Sequence, residues 1–250
     1  MGLDVQQVDG LVTVRIDHGK VNALDLELCH DISTVFDAHA DDPAVSAMVL
    51  TGRDGVFSGG VDVARILDGG AAYAREFLTA LSGAFLSVAR CRRPVVAAVN
   101  GHAIAGGAVL ARAADVVLAA GAGRIGLVEL RVGVPFPPAA MEVLRVRLGS
   151  AELTRVVLDA TARPFSEHVG GLIDRLVDDG ELSKRSVEEA RRLGSVPVET
   201  YALTKQMLLA PLEATLSTSA PRWEAPVAQA WATEEVRSAI RRSVESRGRE

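Results

Sequence analysis

Short apolar runs alternate with amphipathic stretches through most of this chain, and the alternation limits the possible folds more than any other feature of the sequence. Residues 12–16, 45–51 and 95–99 are mostly apolar and rich in β-branched or small side chains, which is typical of buried strands. Residues 73–91 place apolar side chains three and four positions apart, which is the spacing of a helix. The alternation continues to about Val177 and therefore predicts an α/β fold.

The sequence changes character after this alternating part. From residue 182 onwards it is strongly charged and helical in pattern, and apolar residues recur every four positions from 236 to 244. Such a helix packs either on the core of its own chain or on another subunit. We divide the chain accordingly into a core at residues 1–195 and a helical region for self-association at residues 196–250.

Composition and charge exclude several classes of protein. The 250 residues are 48% hydrophobic, which is enough for a substantial core. The 27 basic and 32 acidic residues give a formal net charge of −5, which argues against nucleic acid as the main partner. Cys29 and Cys91 do not make a disulfide framework and fit a reducing compartment. The five histidines are scattered without the spacing of metal ligands, so the sequence predicts no metal site.

The sequence contains no recognisable targeting or membrane-spanning signal. The opening residues, "MGLDVQQVDG", have neither the basic flank nor the apolar stretch of a signal peptide. No apolar run approaches the length of about 20 residues that a bilayer span requires. We therefore expect a soluble, cytoplasmic protein.

Two glycine-containing turns follow two of the predicted strands. "FSGGVD", residues 57–62, comes after the strand at 45–51, and "NGHAIAGG", residues 100–107, comes after the strand at 95–99. Neither matches a phosphate-binding loop, and each alone is typical of an ordinary turn. Together, their main-chain N–H groups can converge on one carbonyl oxygen, with glycine leaving the backbone open to a ligand. Gly106 also lies where a helix is predicted to begin, so the pair of turns predicts an oxyanion hole made of backbone donors.

Three blocks of the sequence resemble the signature of one enzyme family. "VFSGGVDV", "VNGHAIAGGAVLARAADVVLAA" and "RIGLVELRVGVPF" are similar, in this order, to the signature blocks of the crotonase family, the enoyl-CoA hydratases and isomerases. "GKVNALDLEL" resembles the family's N-terminal CoA-binding block, and "ATEEVRSAIRRSVESR" resembles its C-terminal helix. The resemblance implies a crotonase-like spiral of ββα units with a helical C-terminal trimerisation region. It also implies an acyl-CoA thioester substrate, a homotrimer or dimer of trimers, and no cofactor apart from the coenzyme A that the substrate carries.

The same resemblance implies roles for individual residues. It assigns the two oxyanion-hole donors to the backbone N–H groups of Val61 and Gly106, and the catalytic carboxylate to Glu129. The residues that correspond to the family's CoA-binding stretches are Lys20, Val21, Ala23, Gly59, Asp62, Val63 and Ala64.

In part of the family a second glutamate acts together with the one at the position of Glu129, and this chain lacks that second glutamate. The hydratases use two glutamates to hold and activate water, and the position of the other one is Val109 here. A valine side chain neither orients water nor transfers a proton. Because the enoyl-CoA isomerase branch works with one glutamate at the position of Glu129, we predict conversion of a β,γ-enoyl-CoA to the α,β-enoyl-CoA. Such a base requires a largely apolar pocket to act near neutral pH.

Other functions stay open at the level of the sequence. An enoyl-CoA hydratase would need an unrecognised second acid or a water molecule held by the backbone. A non-catalytic acyl-CoA-binding protein would keep the oxyanion turns without turnover. A serine hydrolase is disfavoured, because Ser58 and Ser150 lack the Gly-x-Ser-x-Gly turn of such enzymes.

Several polar residues near the signature blocks have ordinary structural interpretations. We expect Glu142 to be a solvated helix position, His102 to satisfy a local hydrogen bond, and Asp115 to be a cap or turn residue. Arg65 and Asp68 fall in a glycine-rich segment that we expect to be a solvated loop.

The C-terminal helix departs from the family pattern at two positions. The family commonly carries an aromatic residue and a lysine there, which touch the CoA of a neighbouring subunit. Ser243 and Ser246 occupy these positions, and Arg242 and Arg247 are candidates to compensate for them.

Overall fold

The computed structural model describes residues 2–53 and 55–247, with side chains through Arg242. The strands within these residues are β1 Leu3–Val8, β2 Leu11–Ile16, β3 Ala47–Thr51, β4 Val56–Ser58, β5 Val95–Val99, β6 His102–Ile104, β7 Val116–Ala119, β8 Arg124–Gly126, β9 Arg163–Pro164 and β10 Arg175–Leu176. The helices are α1 Leu26–Ala40, α2 Val63–Arg90, α3 Gly106–Ala113, α4 Glu129–Val132, α5 Pro138–Asp159, α6 Leu182–Gly194, α7 Val198–Thr218, α8 Pro221–Ala232 and α9 Glu234–Arg247. None of these helices is both long and apolar enough to cross a bilayer.

Three successive pairs of strands, each followed by a helix, build the core of the fold. In each pair the first strand (β3, β5 or β7) joins a six-stranded sheet, and the second (β4, β6 or β8) joins a four-stranded sheet. The large sheet has the order β1-β2-β3-β5-β7-β10 and the small sheet the order β4-β6-β8-β9, so each repeat is displaced by one strand from the repeat before it. The core strands pair in parallel. This arrangement confirms the predicted spiral of ββα units and its helical C-terminal region.

β5 shows how the apolar runs are used on both faces of the large sheet. All five of its side chains are buried. Val95, Ala97 and Val99 belong to the main core, whereas Val96 and Ala98 pack in a second cluster beneath α6. A strand covered on both faces needs a continuous apolar run, which is the pattern that this segment shows.

The helix predicted over residues 73–91 is longer in the structure, because the glycine-rich segment before it is also helical. Asp62 caps α2 by accepting a hydrogen bond of 3.1 Å from the backbone N–H of Arg65. The helix is kinked at Gly70, whose φ of +65° lies in the left-handed region that suits glycine. The expectation of a loop was therefore wrong, although the side chains of Arg65 and Asp68 are exposed as predicted.

α7, α8 and α9 fold back on the core of the same chain. α7 packs on α5, while α8 and α9 pack on α2. Ile240 on α9 is fully buried by these contacts. Leu203, Met207 and Leu208 on α7 are exposed. The C-terminal helices thus belong to the core of their own chain, whereas the division at residue 195 and the role in self-association stay predictions.

Candidate active site

Val61 lies in a short parallel bridge that orients its backbone N–H group. The N–H of Leu24 donates to the carbonyl oxygen of Gly60 at 2.8 Å, and the N–H of Asp62 donates to the carbonyl oxygen of Leu24 at 2.8 Å. Because Leu24 bonds to the two neighbours of Val61, the N–H of Val61 itself points away from Leu24. Among the described residues this N–H has no acceptor, so it is free to bind a ligand oxygen.

The glycine pair before Val61 lets the first turn pack against the second. Gly60 has a φ of +90°, and a Cβ atom there would lie 2.6 Å from the carbonyl oxygen of Ile104. A side chain at this position would therefore clash with backbone. The space next to Gly60, which we expected a ligand to occupy, is filled by the backbone of Ile104. Of the two glycines, only Gly59 lines the cavity described below.

Gly106 begins α3 and lies next to Val61. The preceding residue, Ala105, has a φ of +52° and donates its N–H to the carbonyl oxygen of Gly126 at 2.8 Å, which fixes the start of the helix. A Cβ atom on Gly106 would lie 3.4 Å from Cγ2 of Val61. The N–H of Gly106 is the first of the helix and has no acceptor within the described part of the chain. The fold therefore brings the two predicted donors together.

Both turns border a small apolar cavity of about 60 Å³. Its walls come from the two turns, from α2 to α4, from the segment around the start of α5, and from α8. Glu129 is the one residue with a carboxyl group among the described residues that line the cavity. The lining residues are Gly59, Val61, Val63, Leu81, Phe85, Ala105, Gly106, Val109, Val128, Glu129, Val132, Val134, Phe136, Pro137, Ala140 and Trp231.

Glu129 is the first residue of α4, and its carboxyl group is buried in this cavity. The helix ends at Gly133, which has a φ of +88° and donates its N–H to the carbonyl oxygen of Glu129 at 2.9 Å. Glu129 is 8% exposed, and its Oε2 has no hydrogen-bond partner among the described residues. Burial raises the pKa of Glu129 from 4.5 to about 8, although the backbone N–H groups of Glu129 and Val128 partly offset the rise. A carboxyl group of this kind exchanges a proton near neutral pH.

Val109 lies one helical turn after Gly106 and lines the same cavity as Glu129. It is 1% exposed and packs in the hydrophobic core. An aliphatic side chain thus stands where the resemblance to the hydratases would place a second glutamate. Within the described residues, no other titratable side chain lines the cavity. The site therefore contains a single group for proton transfer.

The residues predicted to bind CoA form two adjacent segments. Gly59 donates its N–H to the carbonyl oxygen of Val21 at 2.8 Å, which joins the loop after β2 to the first turn. Gly59 and Val63 line the cavity. Ala23 and Asp62 are half-buried, and Lys20, Val21 and Ala64 are exposed. Their contact with CoA stays a prediction.

The sequence did not reveal that the C-terminal region contributes to the cavity. Trp231, on α8, is 3% exposed, lines the cavity and donates from Nε1 to the carbonyl oxygen of Pro135 at 2.9 Å. One signal was present, because a tryptophan in an amphipathic segment is usually buried with its N–H satisfied. That signal predicts burial but does not identify the surface against which the ring packs.

His102 and Glu142 lie outside the cavity. His102 is exposed, and its Nδ1 accepts a hydrogen bond of 3.3 Å from the N–H of Arg124, which is a local contact as expected. The expectation of a solvated Glu142 was wrong. This residue is 9% exposed because its side of α5 packs inward, and its carboxylate pairs with Arg145 at 3.2 Å.

Asp115 has a larger structural role than the expected cap or turn. Its carboxylate accepts a hydrogen bond of 2.9 Å from the N–H of Val95 and forms ion pairs with Lys205 at 2.7 Å and Arg147 at 2.9 Å. Burial raises the pKa of Asp115, but the two cations outweigh this effect and leave the pKa below its usual value. The network ties the large sheet to α5 and α7, outside the cavity.

The predicted CoA contacts of the last helix are not described by the structure. Ser243, Ser246 and Arg247 belong to α9, but their side chains lie outside the described residues. Arg242 is exposed. The roles of these four residues in binding CoA therefore remain predictions.

Comparison with known proteins assigns the chain to a family. The sequence profile of the enoyl-CoA hydratase/isomerase family matches residues 6–249, which is nearly the whole chain. The chain belongs to this family. As an enoyl-CoA hydratase/isomerase family member, it is an enzyme, and its substrates are acyl-CoA thioesters.

Individual relatives of this enoyl-CoA hydratase/isomerase family member share its fold. Carnitinyl-CoA dehydratase from Escherichia coli is 30% identical over 198 residues, which cover 77% of this chain and 75% of that protein. An enoyl-CoA hydratase structure from Mycobacterium ulcerans has a TM-score of 0.82 and 30% identity, over 90% of this chain and 99% of that one. The human mitochondrial delta3-delta2-enoyl-CoA isomerase structure has a TM-score of 0.93 at 20% identity, over 100% and 99% of the two chains. The names of these relatives cover more than one reaction.

Proposed function

We propose that this enzyme isomerises a β,γ-enoyl-CoA to the α,β-enoyl-CoA, with Glu129 as its single base. The observation that carries the proposal is the content of the cavity: one buried carboxyl group, two free backbone N–H groups and otherwise apolar side chains. Isomerisation needs one group that moves a proton between two carbons of the same substrate. Hydration needs a bound and activated water molecule, for which Val109 offers no polar atom.

The proposed reaction begins with the thioester oxygen bound by the N–H groups of Val61 and Gly106. The Glu129 carboxylate removes a proton from the α carbon, and the electron pair of the broken C–H bond enters a dienolate whose charge rests on that oxygen. The two N–H groups stabilise this charge. Protonated Glu129 then returns the proton to the γ carbon, while the double bond forms between the α and β carbons. Glu129 ends as a carboxylate, and neither water nor a redox partner is consumed.

The burial of Glu129 suits both halves of this cycle. A carboxylate with a pKa of about 8 is a stronger base than an exposed glutamate, which helps it to remove a weakly acidic α proton. Its conjugate acid still gives the proton back at neutral pH. The apolar walls also keep water away from the dienolate.

The remaining features of the proposal concern CoA, assembly and location. We propose that the main chain around Gly59 and Val21 carries the CoA arm, and that the substrate's coenzyme A is the only cofactor. Exposed apolar side chains on α7, including Met207, support self-association as a homotrimer or a dimer of trimers. The buried, unpaired Cys29 and Cys91 support a reducing compartment such as the cytoplasm.

Hydration of an α,β-enoyl-CoA is the second candidate function. It is favoured by the relative from Mycobacterium ulcerans, which is named as an enoyl-CoA hydratase and is 30% identical. Such a reaction in this cavity would require water held by backbone groups, with Glu129 as the sole acid and base.

A direct assay separates the two functions. Purified protein is mixed with β,γ-hexenoyl-CoA, and the conjugated thioester is followed by its ultraviolet absorbance as it forms. Crotonyl-CoA is assayed in parallel for loss of the same absorbance. We expect isomerisation to exceed hydration by at least ~100-fold, because one acid is available.

Variants of two buried glutamates complete the test. We expect Glu129→Gln to lower kcat for isomerisation by ~10²- to 10⁴-fold. Glu142→Gln changes a carboxyl group outside the cavity and should leave kcat within about threefold. Faster hydration that depends on Glu129 would replace the proposal with a hydratase. Tight acyl-CoA binding without turnover of either substrate would indicate a binding protein.

A further inference from the structure

We propose that Ser58 is a positioning residue of the oxyanion hole: it fixes the direction of the Val61 N–H group and the distance of this group from the N–H of Gly106. These two N–H groups bind the thioester oxygen in the proposed function, on which the inference rests. Ser58 is fully buried and does not line the cavity. It therefore acts through the backbone of the two turns and not on the substrate itself.

The hydroxyl group of Ser58 joins the loop after β2 to the first turn. Its Oγ donates a hydrogen bond of 2.7 Å to the carbonyl oxygen of Asn22 and accepts one of 3.2 Å from the N–H of Gly60. A hydroxyl group can do both at once. Asn22 is itself held in place, because it is 2% exposed and its Nδ2 donates to the carbonyl oxygen of Val56 at 3.0 Å. The residue immediately before Val61 is thereby anchored to a rigid part of the chain.

Ser58 also makes Val61 the single free donor of its turn. The N–H groups of residues 59 and 62 bond to backbone carbonyl oxygens, each at 2.8 Å. The N–H of Gly60 has Oγ of Ser58 as its acceptor, and no other acceptor for it lies in the described part of the chain. Without the hydroxyl group, two neighbouring N–H groups would be unpaired, and the turn could rotate to offer either of them. The hydroxyl group therefore determines which N–H faces the ligand.

The main chain of Ser58 lies directly against the second turn. A Cβ atom on Gly107, the residue after Gly106, would lie 2.5 Å from the carbonyl oxygen of Ser58 and 2.8 Å from its Cβ. Such a close approach requires glycine. A shift of Ser58 would thus alter the separation of the two donors. A displacement of about 1 Å at a reacting group can lower a rate by ~10²-fold.

Infrared spectroscopy tests how strongly the two N–H groups polarise a bound thioester. Butanoyl-CoA with carbon-13 at the thioester carbonyl is bound to the protein, and its C=O stretch is isolated by difference from the unlabelled ester. Neither isomerisation nor hydration changes this saturated ester. We expect the stretch to move to lower frequency on binding to the wild type, and Ser58→Ala to lose at least about half of that shift.

Kinetics give the second measurement. Ser58→Ala should lower kcat for β,γ-hexenoyl-CoA by ~10- to 100-fold and leave KM within about threefold, because the charge on the thioester oxygen develops after binding. Ser87→Ala is the matched control. It removes another buried hydroxyl group, which donates to the carbonyl oxygen of Ala84 at 3.1 Å and does not line the cavity. It should change neither the infrared shift nor kcat.

Ser58→Cys provides the test if the alanine variant does not fold. A thiol group donates and accepts only weakly, so this variant should lose part of the infrared shift. A full shift in folded Ser58→Ala, or in Ser58→Cys where the alanine variant does not fold, would overturn the inference. The lack of any shift in the wild type, or equal losses in Ser58→Ala and Ser87→Ala, would also overturn it. A wild-type shift that Ser58→Ala reduces would support the inference even if no enoyl-CoA reacts, in which case only the proposed reaction would be wrong.

Discussion

Val109 and Glu129 line the same cavity, the first on α3 one turn after Gly106 and the second at the start of α4. Glu129 is 8% exposed and brings a carboxyl group, whereas Val109 is 1% exposed and brings only carbon. The two positions are therefore close enough to share one ligand, but only one of them can exchange a proton. A single substitution can remove this difference between the two positions.

Val109→Glu should introduce hydration of crotonyl-CoA. A second carboxyl group facing the cavity can hold and activate water, and we expect the hydration rate to rise by at least ~10²-fold. Val109→Gln introduces a side chain of nearly the same size as glutamate and should not raise the hydration rate, because an amide does not act as an acid or base. Loss of crotonyl-CoA absorbance measures the effect. Equal rates for the glutamate and glutamine variants would contradict the proton-transfer argument.

The isomerisation rate should depend on the ionisation of Glu129. Because burial raises its pKa to about 8, most free enzyme carries the protonated, inactive form at lower pH. We expect kcat/KM to rise about tenfold per pH unit below pH ~7 and to level off above pH ~8.5. Initial rates across this range in buffers of constant ionic strength provide the measurement. A profile that is flat between about pH 6 and pH 9 would show that Glu129 is not the titrating base.

The same pKa predicts how Glu129 affects stability. The pKa of Glu129 is higher in the folded protein than in the unfolded chain. The free energy of unfolding is therefore highest below about pH 4.5, where Glu129 is protonated in both states, and it falls as the pH rises to about 8. Glu129→Gln removes this titration. We expect the variant to gain a few kcal/mol relative to wild type between about pH 4 and pH 9, measured by urea unfolding. A constant difference across this range would argue against a buried, titrating carboxyl group.

Lys205→Met should destabilise the fold strongly without a direct effect on the cavity. Lys205 is 5% exposed and pairs with Asp115 at 2.7 Å, so its loss leaves a buried carboxylate with Arg147 as its remaining cation. Removing one partner of a buried pair costs about 3–5 kcal/mol. Lys184→Met breaks an exposed pair with Glu181 and should change stability by less than ~0.5 kcal/mol. Chemical denaturation of both variants tests the contrast, and similar losses would contradict it.

Gly60→Ala should impair both folding and turnover. The substitution combines a left-handed φ of +90° with a Cβ atom 2.6 Å from the carbonyl oxygen of Ile104, and we expect a loss of at least ~3 kcal/mol. Any relief of the clash moves the adjacent N–H of Val61, so kcat should fall too. Gly180→Ala has a similar φ of +85° in open space and should cost only about 1 kcal/mol, with normal kcat. Equal losses in the two variants would show that crowding at Gly60 is unimportant.

The strand-helix alternation predicted an α/β fold, the resemblance to the crotonase family implied the ββα spiral, and the convergence of the two turns was predicted from their positions after two buried strands. Strand-turn-helix patterns specify each repeat, and neighbouring parallel strands then place the turns around Val61 and Gly106 side by side. Trp231 could not be placed in this way. An amphipathic helix has a buried face, but which surface that face covers depends on the tertiary packing of α2, α5 and α8.

Two smaller errors have the same origin. Residues 61–72 were expected to form a loop because of their glycines, yet capping by Asp62 and packing against α1 favour a helix from Val63 that tolerates a kink at Gly70. Glu142 was expected to be solvated because it is charged, yet α5 is covered on the side that carries it and Arg145 neutralises its charge. Local composition could not show either covering surface.

The position of Trp231 after the other residues of the site in the sequence has a consequence for biosynthesis. A ribosome releases Val61, Gly106 and Glu129 into solution well before it synthesises α8. A polypeptide that terminates before α8 therefore contains both turns and the acid but lacks the wall that the indole supplies. Proteolytic removal of α8 would likewise leave the cavity open on the side that Trp231 covers.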